Sequence, residues 1–365
     1  MTTTTPLAHA SGGSDRQAPL VFLRWVVATF LLLGGVNLAL SLRFGAIRGD
    51  LARVGGFAER DYQPGAPQAD ARIAPNTVAL ADADVIVLGD SFSNKLLWQG
   101  ELEALTGQRT LTFQYGQSGC VSNWLQWLHT AALKPGATVL VESSERSFVS
   151  RYNQMAPCPK IVPVAVHRHI ESGAKSWFDT DISLDIVYQV RVLLNSVRLK
   201  SQDAYLSGEV VNVALKRSDR FTDRRADRLM YHIDDEGKND WTSNQVANAL
   251  SGLKAEKAAF AASGQKFAVL VMPDKSSVYR DDIVAPRIRS STVTRDLAAA
   301  GLSSLDTLAC FRSLATMLPD FYLPDDSHTG PNGFRLVAAS LASGQCAAPP
   351  ASAAAPASAA FTVLN

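Results

Sequence analysis

Val85-Ile86-Val87-Leu88 is a run of four branched aliphatic residues with no polar position among them, and it leads directly into Gly89-Asp90-Ser91. A run without a polar face suits a strand covered on both sides, the setting of a parallel sheet between helices. The theme repeats along the chain. Leu96 to Leu105 reads as helix, Thr110 to Tyr115 as extended, Trp124 to Leu133 as helix and Thr138 to Val141 as strand. An Ala-rich helix from Asn244 to Ser263 precedes a strand at Phe267 to Met272, and a last helix spans Pro331 to Ala342. This alternation predicts an α/β fold, a three-layer α/β/α domain around a central parallel sheet. Ligands in such domains sit beyond the carboxyl ends of the strands, which is where Ser91 falls.

Trp25 to Leu42 carries no charge and is bracketed by Arg24 and Arg43. At 1.5 Å per residue its length is about 27 Å, close to the thickness of a hydrocarbon core. A buried core helix and a cleaved signal peptide compete with a membrane anchor. The run is long for a signal peptide and no small-x-small site follows it, so an uncleaved signal anchor over 20–43 is the expectation. Arginines flank both ends and leave its orientation open. Around it, 1–19 is expected to be a disordered cytoplasmic tail and 44–80 a juxtamembrane linker. The main domain should cover 81–346, with an insertion at about 150–240, before an Ala/Pro tail at 347–365. Selectivity is expected to reside in that insertion.

A net charge of +1 with no long basic stripe argues against nucleic-acid binding. None of the four cysteines has a spacing suited to zinc, and neither a metal nor a cofactor is expected. Outside the cytoplasm an even count permits disulfides. Cys120–Cys158 with Cys310–Cys346 is the preferred pairing, against two other connectivities or four buried thiols.

A serine hydroxyl needs a base within hydrogen-bond reach and a carboxylate to orient that base. The chain has six histidines, and only His328, in Pro324-Asp325-Asp326-Ser327-His328, has acidic neighbours at a useful spacing. Asp325 is preferred as the orienting acid because it can fold back in a tight turn; Asp326 is the alternative, through a different turn. Gln114-Tyr115-Gly116-Gln117-Ser118-Gly119-Cys120 follows the second strand and is the natural source of backbone donors for an oxyanion. These residues suit acyl transfer through a covalent serine intermediate.

Gly89-Asp90-Ser91-Phe92, Gly116 and Asp325-x-x-His328 occur in the order of the first, second and last blocks of the SGNH (GDS-type) hydrolase superfamily, which the chain resembles over roughly 84–342. The resemblance implies Ser91 as nucleophile, the Ser91 and Gly116 amides as oxyanion hole, and His328 as base oriented by Asp325. The third block departs: Val141-Glu142-Ser143-Ser144-Glu145-Arg146 stands where Gly-x-Asn-Asp is usual. Together with Met272-Pro273-Asp274-Lys275-Ser276-Ser277-Val278-Tyr279, this segment is similar to the alginate O-acetyltransferase-like branch, whose Asp-x-His pair precedes the serine rather than following it. That branch implies Arg146 as an oxyanion or sugar contact, with Lys275 and Tyr279 near an acceptor groove.

The resulting expectation is a single-pass protein of the bacterial inner membrane with its catalytic domain in the periplasm. It would pass an acetyl group to a cell-envelope or secreted polysaccharide, supplied by an acyl-exporting membrane partner. A carbohydrate esterase with the same triad and a non-catalytic glycan-binding scaffold remain alternatives. Trp98, Trp124 and Trp127 are candidates for stacking on sugars, though Trp124 and Trp127 fit a helix core face better. His167-Arg168-His169 reads as surface. Arg220, Arg224, Arg225 and Arg228, interspersed with Asp223 and Asp227, read as a solvated helix face, with an anionic polysaccharide as a second possibility.

Overall fold

In a computed structural model, residues 17–44, 49–65, 70–115, 121–153, 186–198 and 203–346 are described. The central sheet has four parallel strands: β1 (Val85–Gly89), β2 (Thr110–Gln114), β3 (Thr138–Ser144) and, after the insertion, β7 (Lys266–Met272), in the spatial order β2-β1-β3-β7. The pleat sends alternate residues to opposite faces, and the two cores divide along it. Val85, Val87, Leu140, Ala268 and Leu270 face one layer, while Ile86, Leu88, Val139, Val141 and Val269 face the other.

The first layer holds α5 (Leu97–Thr106), α12 (Thr307–Met317) and α13 (Pro331–Ser343); the second holds α6 (Val121–Thr130), α7 (Phe148–Tyr152), α9 (Ser243–Ala262) and α11 (Val293–Ala299). Short helices α4 (Ser91–Asn94) and α10 (Lys275–Val278) follow β1 and β7 directly. The three-layer α/β/α architecture is as the alternation predicts. Because β1 connects to β2 on one side and pairs with β3 on the other, chain direction reverses at the carboxyl end of β1, the usual place for a ligand site.

The insertion contributes α8 (Ile186–Arg198) and a three-stranded antiparallel sheet, β4 (Ala204–Ser207), β5 (Val210–Ala214) and β6 (Arg228–His232). Arg228 is the first residue of β6, and Arg220 to Asp227 form irregular chain and turn, not a helix. Arg220 and Arg228 are buried, Arg220 pairing with Asp282 and Arg228 donating to Asn212 Oδ1. The expected solvated helix face is therefore corrected: no helix forms and Arg220 and Arg228 satisfy interior acceptors, whereas Arg224 and Asp227 are exposed and Arg225 pairs locally with Asp227 as expected.

The expected linker at 44–80 is also corrected. The long helix α1 (Gln17–Phe44) is followed by α2 (Asp50–Gly55) and α3 (Glu59–Tyr62); Leu51 of α2, Phe57 between them and Tyr62 of α3 form a core with Tyr205, Val210 and Met230. Helices this short leave no sustained period in the sequence. Cys310 and Cys346 form a disulfide, as expected, tethering the end of α13 to α12. The Cys120–Cys158 pair and the His167-Arg168-His169 segment lie outside the described residues. Trp98 and Trp124 are fully buried, and Trp124 and Trp127 pack with Phe113 in the core rather than offering a face to sugars.

Candidate active site

The serine turn is fixed by the acid beside it. Asp90 caps α4, its Oδ1 accepting from the Phe92 amide at 3.1 Å. Its Oδ2 accepts from the Ser144 amide at 2.7 Å and the Arg151 guanidinium at 2.8 Å, so one carboxylate ties the end of β1 to the end of β3. Burial works against this charge, but Arg151 and the two amides outweigh it and hold the Asp90 carboxyl below the usual range. Glu142, one strand over, behaves oppositely: burial and then the Asp90 charge push its carboxyl well up. It accepts from Ser93 Oγ at 2.7 Å and from the Asp90 amide at 2.9 Å. Gly89 is required here, since a Cβ would stand 2.4 Å from Ser93 Oγ and 2.9 Å from Glu142 Oε2. With Phe92 and Ser93 buried, Ser91 is the exposed hydroxyl of the turn.

The histidine stands on a loop, Leu323 to His328, just before α13. Asp326 Oδ1 accepts from the His328 amide at 2.9 Å and meets its ring Nδ1 at 2.6 Å. This is an Asx turn, in which an aspartate bonds the backbone two residues on. The same carboxylate thus fixes both the main chain and the ring. With Nδ1 donating, a neutral imidazole presents Nε2 as its basic nitrogen, and Nε2 has no protein partner. Burial raises the Asp326 carboxyl, yet the hydrogen bond and charge of His328 override it and bring it far below the ordinary range.

The expected orienting acid, Asp325, is therefore corrected to Asp326. The Asp325 carbonyl accepts from the amides of Leu51 and Ala52, both at 3.1 Å, and its side chain faces Glu59, where burial raises the carboxyl. Gly49 packs so closely on Asp325 that a Cβ there would lie 2.1 Å from its carbonyl oxygen. Asp325 is turned toward α2 and α3, away from the ring.

Two further groups hold this loop. Asp50, at the start of α2, accepts from the Ser327 amide at 2.7 Å and from its hydroxyl at 2.5 Å. Lys275 is buried and its Nζ donates to the carbonyls of Leu323 (2.6 Å), Pro324 (2.8 Å) and Asp326 (3.2 Å). Lys275 therefore supports the histidine loop from within rather than lining an acceptor groove. Tyr279 is likewise buried, packed on Phe221 and Tyr322, and offers no surface. Arg146 Nη1 is committed to Asp235 (3.1 Å) and Asp274 (3.3 Å), beside a buried Lys238 that bonds Glu145, Asp274 and Ser277. This network packs β3, β7 and residues 233–240 together. Gly116 lies outside the described residues.

The two halves meet through Phe92, whose ring packs on His328 with centroids 4.6 Å apart. No hydrogen bond joins Ser91 to His328 in this arrangement. Asp50, Asp326 and His328 place possible metal-ligand atoms within 4.8 Å of one another, but these atoms bond each other and Ser327. The set is one of an oriented base and an exposed hydroxyl on a neighbouring turn. Asp50, Glu142 and Asp326 are the groups that sequence reasoning undervalued; an Asp two residues before a histidine was the one available signal.

Among known families, residues 229–363 match the model described as SGNH hydrolase-like domain, acetyltransferase AlgX. Comparison with curated proteins and with solved structures found no match. The matched segment contains Lys275, Asp326 and His328; Ser91 precedes it.

Two outcomes follow from the geometry. Asp326→Asn should lower turnover of an activated acetyl ester by about 10²- to 10⁴-fold, because an amide carries no charge to stabilise the imidazolium and its NH2 favours the wrong ring tautomer. Asp325→Asn, which keeps the backbone carbonyl bonded to Leu51 and Ala52 and removes no contact to the ring, should stay within about 10-fold. Steady-state kinetics on both variants decides; the reverse ranking contradicts the assignment. The second outcome concerns pH. Burial lowers the Lys275 ammonium from 10.5 to about 8, against the opposing charges of Asp325, Asp326 and Asp50. Above that pH an amine has two N–H groups for the carbonyls that an ammonium bonds with three. The turnover number should therefore fall with a midpoint near 8, and Lys275→Met should be lower by about 10²-fold without that midpoint. Unfolded lysine keeps its proton up to 10.5, so between about 8 and 10.5 this group makes the fold more stable as pH rises. A fall in turnover there, with a thermal midpoint that does not fall, separates loop loosening from unfolding.

Proposed function

Proceeding from the SGNH hydrolase-like domain of the AlgX acetyltransferase family that residues 229–363 carry, we propose that this protein is a membrane-anchored O-acetyltransferase. It transfers acetyl through Ser91 to a hydroxyl of a cell-envelope or secreted polysaccharide on the outer side of the membrane. The observation that supports this most is the 2.6 Å contact between Asp326 and His328, with Nε2 unpartnered beside the serine turn.

The chemistry proceeds in two halves. Ser91 Oγ attacks the acetyl carbonyl while His328 Nε2 takes its proton, and the imidazolium gives that proton to the departing donor group. The acetyl group is then held on Ser91 as an ester. In the second half His328 removes a proton from a sugar hydroxyl, whose oxygen attacks the ester carbonyl. Ser91 leaves as the alkoxide and recovers the proton from His328. Asp326 stabilises the imidazolium in both halves without becoming protonated. The Ser91 and Gly116 amides are the proposed donors to the oxyanion. The exposed, apolar helix Pro19–Leu40, of mean hydropathy 1.9, supports the anchor. An acyl-exporting membrane protein would supply the donor group.

The test uses the full chain in lipid nanodiscs with an activated acetyl ester and a panel of bacterial exopolysaccharide fragments, read by mass spectrometry. Acetylated sugar should form and fall by about 10³-fold in Ser91→Ala. Ser91-dependent release of acetate with no acetylated sugar would replace the transferase with an esterase. Acetylation that persists in Ser91→Ala would remove the serine mechanism altogether.

A further inference from the structure

Helix α8 (Ile186–Arg198) is inside out for a water-facing helix. Its domain side is held by polar groups. Asn195 Nδ2 donates to the carbonyls of Gly55 (2.9 Å) and Gly56 (2.8 Å) and to Ser207 Oγ (2.9 Å). Arg191 donates to the Val54 carbonyl at 3.0 Å and the Tyr188 hydroxyl to that of Phe57 at 2.7 Å. Its outer side is Val187, Val190, Leu193, Leu194 and Val197, which are 46% to 70% exposed. A helix in water turns its apolar stripe to the core and its polar side outward. A contiguous stripe of large aliphatic residues left in water forgoes the burial that stabilises such side chains, so it calls for a cover.

What covers it is indicated by its neighbour. Leu40, at the end of the apolar stretch of α1, packs against the small core of Ala58, Tyr188 and Val192, the last two from α8. Arg60, in α3, donates to the Arg43 carbonyl, adding a second tie between the end of α1 and the domain. No residue in the most apolar 18-residue window of α1 is buried, and Leu31, Phe30 and Trp25 are more than two-thirds exposed. Hydrocarbon is one medium that accepts both surfaces, and the 22-residue span Pro19–Leu40, whose one charged residue is Arg24, is long and apolar enough for it.

We propose that the outer face of α8 lies in the membrane interface and contacts phospholipid, a second, non-spanning attachment beside α1. This rests on the reading of α1 as a membrane anchor. At 1.5 Å per residue α8 is about 20 Å long, and it lies along the bilayer surface with its apolar side entering the acyl boundary. An anchor on one helix leaves a domain free to swing; a second contact sets its orientation. The carbonyls that α8 holds, Val54 to Gly56, are at the end of α2, and the start of α2 holds Asp325 and Ser327 beside His328. One short helix therefore connects the membrane contact to the histidine loop.

The full chain is reconstituted in phosphatidylcholine–phosphatidylglycerol vesicles with or without brominated acyl chains. A fluorophore is placed in turn at Leu194→Cys, at Leu32→Cys on α1 and at Met317→Cys on α12, with the unsubstituted chain labelled in parallel as background. All three positions are exposed, so the substitutions leave the cores intact. The proposal expects the brominated lipid to remove most of the fluorescence at positions 32 and 194 and to leave 317 unchanged. Quenching at 32 but not at 194 overturns the lipid contact of α8 while keeping the anchor. A dehydrated probe at 194 that brominated lipid does not quench also overturns it, in favour of a protein covering that face. No quenching at 32 removes the anchor and the proposal together.

Discussion

The loop from Leu323 to His328 is shaped by a buried cation. Lys275 bonds three carbonyls of that loop, and its lowered affinity for a proton measures how strongly burial opposes the charge there. Charge-assisted hydrogen bonds are worth about 1.5–3 kcal/mol each, enough together to hold an irregular segment that has no ladder of its own. Lys275 opens the short helix after β7, so the loop is fastened directly to the sheet. From the other side α2 supplies two amides to the Asp325 carbonyl and the Asp50 carboxylate to Ser327. Held from both sides, the chain at Asp326 closes its Asx turn and orients the imidazole.

The serine half follows a different principle. At the carboxyl end of the parallel strands, Asp90 and Glu142 are two buried acids in one network, and their surroundings drive them apart. Arg151 keeps Asp90 charged against burial, whereas burial and the Asp90 charge push Glu142 toward its neutral form. The charged one caps α4 and joins two strands; the other accepts from Ser93 and fills the space under Gly89. Neither has to reach the exposed hydroxyl. Their effect is to fix the backbone of the turn that carries Ser91, with Phe92 packed on the histidine ring.

The sheet was legible because its strands bury both faces. Val85–Leu88 and Phe267–Met272 admit no other common reading, and Gly89-Asp90-Ser91 marks the strand end directly. His328 was legible because acids cluster before it. The choice between Asp325 and Asp326 was not, since it turns on where the Asp325 carbonyl goes. That is decided by α2, some 270 residues upstream. The segment containing α2 read as a linker because six- and four-residue helices show no periodicity, and their burial comes from β4, β5 and β6. The arginines near 220–228 misled for a related reason. Charge alternation in a sequence does not distinguish solvated pairs from interior ones such as Arg220–Asp282. Lys275 and Arg146 were singled out by resemblance, and the structure ties the Lys275 ammonium to three loop carbonyls and Arg146 Nη1 to Asp235 and Asp274.

The central claim is that Ser91 carries the acyl group and that His328, oriented by Asp326, drives both its arrival and its departure. The most direct measurement is acid quenching of the full chain within its first turnovers on an activated acetyl ester, followed by peptide mapping by mass spectrometry. The account predicts one added acetyl group on the peptide containing Ser91. It also predicts that His328→Ala acquires that group far more slowly than the unsubstituted chain. Acetylation at another residue, or equally fast labelling of Ser91 without His328, would contradict it.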